Sequence, residues 1–222
     1  MGFLNRYRSP IDLPDTLKVF PLAGALLLPR ADLPLNIYEP RYLEMIDDAL
    51  AGDRLIGMIQ PETGDASGAP ALCRVGCAGR LTAYAETPDG RVLVTLTGIS
   101  RFAVTGERRA KTPYRQVDAD FAPFASDLIE DAGEGDVNRR ELLQVFRDYL
   151  SANDLSADWD QVRSASNEAL VNTLSSLAPY GPDDKQALLE AADLGTRAEV
   201  LIALTQLALA RGHSGAAKAT LQ

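Results

Sequence analysis

Residues 17–46 read LKVFPLAGALLLPRADLPLNIYEPRYLEMI, and the period of the apolar positions changes inside this segment. Before Tyr38 the apolar runs are short and cut by Pro21, Pro29 and Pro34, which predicts strands over 17–22 and 33–38 joined by an apolar loop. At Pro40 the period becomes helical. Proline suits a first helical position because its missing N–H would have no partner there. Tyr42, Leu43, Ile46, Ala49 and Leu50 then share one face, and Gly52 supplies the stop.

Working outward, the chain on either side keeps the strand pattern. At 116–121, Val117, Ala119 and Phe121 alternate with Gln116, Asp118 and Asp120, as in a half-buried strand. Further strands are predicted at 55–60, 76–85, 91–97 and 99–105, with turns at Pro88-Asp89-Gly90 and a break at Gly98. Several strands around one helix predict a small barrel or a pair of curled sheets.

The second half is punctuated differently. Eleven of the 13 prolines precede residue 124, and most of the net charge of −9 lies after it. Residues 127–136 hold Asp127, Glu130, Asp131, Glu134 and Asp136 with two glycines and no base, the composition of a solvated linker. The alternating acids and distant Glu of an EF-hand loop are missing from it. Beyond, the period is helical. Leu142, Val145, Phe146, Tyr149 and Leu150 form one stripe; Leu170, Val171, Leu174, Leu177 and Ala178 form another. A third helix is predicted from Pro182-Asp183, and a fourth after Gly195 that buries Val200, Leu201, Leu204, Leu207 and Ala208. Short connections between such helices predict an antiparallel bundle. The expected division is an N-terminal arm at 1–15, a β-rich subdomain at 16–123, an acidic linker at 124–137, a helical bundle at 138–211 and a flexible tail at 212–222.

Composition limits the chemistry. With 31 acids against 22 bases, the chain lacks the electrostatic footprint of a nucleic-acid binder, so nucleic acid is disfavoured as a partner. No stretch of about 18 apolar residues and no signal-peptide pattern are present, so no membrane association is expected and the predicted location is cytoplasmic. Walker A, Gly-x-Gly-x-x-Gly, His-Glu-x-x-His and Gly-x-Ser-x-Gly motifs are all missing. The single histidine, His213, sits in an Ala/Gly-rich tail, unsuited to an ordered catalytic group. Cys73 and Cys77 fall short of a zinc site, and in an extended segment they stand about 13 Å apart, too far for a disulfide. The expectation is a protein with no catalytic residues, no cofactor and no metal.

The order and spacing of Phe20-Pro21-Leu22, Leu33-Pro34-Leu35, Ile37-Tyr38-Glu39-Pro40-Arg41-Tyr42 and Met45 resemble the opening of the Lon N-terminal, or substrate-binding, domain. Val75-Gly76-Cys77, Leu96-Thr97-Gly98 with Arg101-Phe102, and Lys185-Gln186 with Leu188-Leu189-Glu190 and Arg197 extend the likeness over roughly 16–208. The resemblance implies an α+β fold: a PUA-like β-barrel subdomain with one inserted helix, followed by an α-helical bundle. The ATPase and protease domains that follow this region in Lon are missing from the 222 residues, so a free-standing bacterial relative is expected.

What the resemblance implies for function is non-catalytic engagement of unfolded or extended polypeptide segments, linked to a Lon-type protease. Leu26, Leu27, Leu28 and Leu33 are the sequence candidates for an apolar contact surface, with core packing as the competing role. The alternative is RNA binding through the PUA-like barrel, for which Arg108, Arg109 and Lys111, with Tyr114 and Arg115 nearby, are the candidate patch. The Tyr38–Tyr42 motif reads first as a helix start, with Glu39 at the positive helix end and Tyr42 packed inward.

Overall fold

Two elements of opposite character open the fold: the strand Thr16–Pro21 (β1) and the amphipathic helix Pro40–Leu50 (α1), between which lies the strand Asp32–Ile37 (β2). The computed structural model describes residues 6–62, 70–177 and 179–219, with side chains described as far as 211. The remaining strands are β3 (Leu55–Pro61), β4 (Leu72–Glu86), β5 (Val92–Arg108) and β6 (Arg115–Asp120); the remaining helices are α2 (Arg139–Ala152), α3 (Trp159–Ser164), α4 (Asn167–Leu177), α5 (Pro182–Glu190) and α6 (Leu194–Ala219). The chain forms two units, one of residues 1–130 with 179–189, the other of 131–178 with 190–222. The expected tail at 212–222 lies outside the described side chains.

In the first unit the strands form one six-stranded sheet in the order β2-β5-β4-β3-β1-β6, with a further pairing of β5 to β6. All neighbours are antiparallel except β1 and β3. The α+β class stands, but the expected PUA-like barrel is corrected. Closure would leave no strand edge, whereas among the described residues β2 pairs with β5 alone and ends the sheet. The predicted strands 91–97 and 99–105 are one strand, because Gly98 does not break the ladder. It makes room: a Cβ there would lie 2.0 Å from the Leu28 carbonyl oxygen.

The core of this unit collects Leu17, Val19, Leu55, Ile59, Ala78, Ile99, Phe102 and Val117 from the strands, and Tyr7 and Leu13 from the N-terminal segment. Phe102 is fully buried, and glycines admit its ring. A Cβ on Gly76 would stand 2.6 Å from Phe102 Cζ, and one on Gly57 would stand 2.9 Å from it. Beside this apolar core lies a buried charge. Arg101 on β5 donates from Nε and Nη2 to the two carboxylate oxygens of Asp127, both at 2.8 Å, and its backbone N–H donates to Asp127 Oδ2 at 2.9 Å. Its Nη1 donates to the Leu189 carbonyl at 3.2 Å, and the guanidinium stacks 4.6 Å from the Phe124 ring centroid. Asp127, expected in a solvated linker, is therefore a buried counterion.

The helix from Pro182, grouped with the bundle by its period, is held by the sheet unit. Gln60 is buried on β3; its Oε1 accepts from the Gly24 N–H at 2.8 Å, and its Nε2 donates to the Pro182 carbonyl at 3.0 Å and to Gln186 Oε1 at 3.1 Å. Gln186 Nε2 donates to the Val75 carbonyl, and Lys185 Nζ to the Gly24 carbonyl. Leu188 and Leu189 are buried below.

The second unit packs α2 and α4 on α6. Leu142, Val145 and Leu150 of α2 and Leu170, Val171 and Leu174 of α4 are buried as their stripes predict, whereas Leu177 is 77% exposed at the end of α4. On α6 the buried positions include Leu194, Arg197, Ala198, Leu201, Ile202 and Thr205, a stripe rotated from the predicted one. An Ala/Leu-rich helix offers more than one apolar face, and periodicity does not rank them. The Glu134 carboxylate accepts from the backbone N–H groups of Asn167 and Glu168 at 2.9 and 2.7 Å, capping α4.

Removing Asp127 would leave the Arg101 guanidinium buried without its carboxylate. Asp127→Ala is expected to cost about 3–5 kcal/mol, read as a lower urea midpoint with unchanged slope; a loss under 1 kcal/mol would contradict the counterion role.

Candidate functional site

The sequence candidates separate sharply by depth. Leu26, Leu27 and Leu28 are buried. Leu27 fills space left by Gly79, where a Cβ would meet its Cδ2 at 2.6 Å, and the Leu28 carbonyl lies against Gly98. The loop thus presses its leucines onto β4 and β5. Leu33, on β2, is half-buried opposite buried Leu96.

The Tyr38–Tyr42 motif builds a helix start. Pro40 opens α1, Glu39 is its N-cap residue, and Arg41 donates from Nε and Nη2 to Glu39 Oε2 at 2.9 and 2.8 Å. The Arg41 guanidinium lies 4.5 Å from the Tyr42 ring centroid, and that ring lies 4.1 Å from Phe20. Burial raises the Tyr42 pKa above its ordinary value. Tyr38 projects away, 65% exposed.

Register places a second group of residues on one face. Leu93 of β5 lies opposite Asn36 of β2 and Ala85 of β4, and Thr95 lies opposite Pro34 and Ala83. Directly opposed residues share a face. This face is open to solvent: Pro34, Ala83 and Ala85 are exposed, and Leu93, near the start of β5 and flanked by β2 and β4, is 45% exposed. Tyr84, Leu35 and Val94 point to the other face. The Tyr84 hydroxyl donates to Glu86 at 2.7 Å, and this bond is the main cause of its raised pKa.

A cleft of about 280 Å³ opens beside α5, lined by Gln60, Pro61, Glu62, Cys73, Pro182 and Gln186 among others. Its amides hold α5 in place, as described above. Among the described residues, no group of three or more His, Cys, Asp or Glu side chains is placed to hold a metal ion, and no helix is long and apolar enough to cross a membrane.

The basic cluster is largely neutralised within the fold. Arg108 pairs with Asp118 at 2.5 Å. Arg115 donates from Nε and Nη2 to the two oxygens of Glu107, both at 2.6 Å, which holds the Glu107 carboxyl below its ordinary pKa. Tyr114 is buried and donates to Asp48 of α1. Arg108, Arg109 and Lys111 are all exposed, Arg108 with its charge met by Asp118.

Residues 16–206 match the family model of the ATP-dependent protease La (LON) substrate-binding domain. The chain belongs to this family. Lon protease of Desulfosudis oleivorans is 26% identical over 194 residues, covering 83% of this chain and 23% of that protein. Lon protease 2 of Myxococcus xanthus is 24% identical over 208 residues, covering 91% and 24%. The chain thus spans about a quarter of the length of these curated relatives. Among solved structures, a Lon N-terminal domain protein from Xanthomonas campestris superposes with a TM-score of 0.61 at 21% identity, covering 85% of this chain and 97% of that one. The N-terminal domain of a Mycobacterium avium complex Lon protease gives 0.64 at 19%, covering 86% and 98%. The match is to the non-catalytic substrate-binding domain of Lon, not to its ATPase or protease domains.

Burial first, then the bond to Asp48, pushes the Tyr114 pKa above its ordinary value of 10. A group whose folded pKa is raised contributes stability that is complete below its unfolded pKa and is lost as pH rises toward the folded one. The folding free energy of this Lon-type domain is expected to decline above about pH 10, and Tyr114→Phe is expected to reduce that slope in urea titrations at stepped alkaline pH.

Proposed function

We propose that this chain holds unfolded or extended segments of other polypeptides against the open face of β2, β5 and β4, with Leu93 at the centre of the contact. Membership of the Lon substrate-binding family supports the class of ligand. The observation that carries the location is Leu93 itself, half-exposed on β5 between its direct neighbours Asn36 and Ala85, with Pro34 and Ala83 one pair further along the same face. An extended chain presenting an apolar side chain there removes both surfaces from water. Covering the part of Leu93 that is still exposed contributes about 1 kcal/mol. Leu26, Leu27, Leu28 and Leu33 lie outside this face and act, in this reading, by shaping the sheet beneath it. We place the activity in the cytoplasm, where the chain delivers clients to a Lon-type protease or withholds them from it.

The test is fluorescence anisotropy of a reduced, carboxymethylated protein that cannot fold, with the native form of the same protein as control. The unfolded form is expected to bind and the folded form not. Leu93→Glu is expected to weaken binding roughly tenfold or more while circular dichroism stays native, and Ala85→Glu is expected to act in the same direction. Equal binding of both forms, or full affinity in both variants, would refute the proposal.

A further inference from the structure

The hydrogen-bond phase of β2 decides which of its backbone groups face outward. One step beyond the Asp32↔Thr97 pair, the Gly98 N–H donates to the Ala31 carbonyl at 2.9 Å. Bonding to the directly opposed residue marks a hydrogen-bonded pair, and such pairs recur at every second residue of an antiparallel ladder. The register runs without a shift from Asp32 to Ile37. Leu33, Leu35 and Ile37 therefore turn their backbone groups toward β5, and Asp32, Pro34 and Asn36 turn theirs outward. The side chains of all three outward residues are exposed.

Proline has no N–H and is confined in sheets to edge positions where none is needed. Pro34 occupies the middle of the three outward positions. If a second copy added its β2 antiparallel about a two-fold axis with Pro34 opposite Pro34, Asp32 would face Asn36 on either side. The central pair would then supply two carbonyls and no donor, and both central hydrogen bonds would be missing. With any other residue at 34 the outward edge would offer a regular run of donors and acceptors, the template that drives edge-to-edge association.

We infer that Pro34 is an edge guard, a single residue that prevents β2 from pairing with β2 of a second copy of this chain. The inference does not rest on the polypeptide-binding reading. It concerns the edge of the sheet, whereas Leu93 concerns its face, and the two are read by different experiments.

Sedimentation velocity over a wide concentration range tests it. Because the Pro34 nitrogen has no role in the ladder to β5, Pro34→Val is expected to fold as the parent does. It should self-associate roughly tenfold or more tightly, the effect of restoring two hydrogen bonds, and amide exchange at Asp32 and Asn36 should slow as it associates. Adding Asn36→Pro to that variant places a proline at another outward position and is expected to restore the parent's behaviour. Pro34→Thr serves the same purpose should the valine variant misfold. The inference is overturned if both folded variants sediment as the parent does at every concentration. It is equally overturned if the parent already dimerises with Asp32 and Asn36 protected, or if the added proline leaves association unchanged.

Discussion

The buried guanidinium of Arg101 is the constraint around which the first unit is arranged. A charge removed from water costs several kcal/mol unless a counterion and hydrogen-bond acceptors surround it. Here the carboxylate comes from Asp127, 26 residues later, and one further acceptor comes from the Leu189 carbonyl. Satisfying one side chain thus requires β5, the turn after β6 and the end of α5 to be in place together. An apolar residue at 101 would tolerate many packings, but an arginine tolerates few. The pair therefore contributes to uniqueness of the fold as much as to stability.

A second constraint acts through missing side chains. Gly57 and Gly76 admit Phe102, Gly79 admits Leu27, and Gly98 admits the Leu28 carbonyl. The apolar loop before β2 lies flat on the sheet because β4 and β5 have no Cβ at the points of contact. This is why a run of leucines that reads from sequence as a sticky surface is buried, whereas Leu93 of β5, which among the described residues has no such loop over it, stays half-exposed on the face of the sheet.

Local signals were the ones that sequence could show. Pro40, the 3.6-period stripe and Gly52 delimit a helix that runs Pro40–Leu50, and the alternation at 116–121 marks a strand running Arg115–Asp120. Non-local demands left no such trace. Gly98 has the composition of a turn, and its role depends on a loop seventy residues earlier in the chain. Asp127 sits among acids that suggest solvent, and nothing nearby announces Arg101. The period of α5 is that of any amphipathic helix; what assigns it to the sheet is Gln60, a polar residue in an otherwise apolar strand and the one signal that a buried hydrogen-bonding partner was required. Open closure of the sheet was likewise hidden, since strand count and alternation are the same for a barrel and for a sheet with a free edge.

Face and edge place opposite demands on such a sheet. A surface that meets unfolded chains must show apolar side chains, yet a free edge invites those same chains to continue the ladder, a contact that grows with every residue and reverses slowly. Leu93 and Pro34 lie on neighbouring strands, and each answers one demand. The leucine offers a contact of limited area, governed by side chains. The proline interrupts the backbone template two residues from the nearest outward donors on either side. A chain held by the face can leave again, because each contact is small and none is reinforced by a continuous ladder. For the proposed role of holding polypeptides and releasing them, weak and separable contacts suit release better than strand addition would.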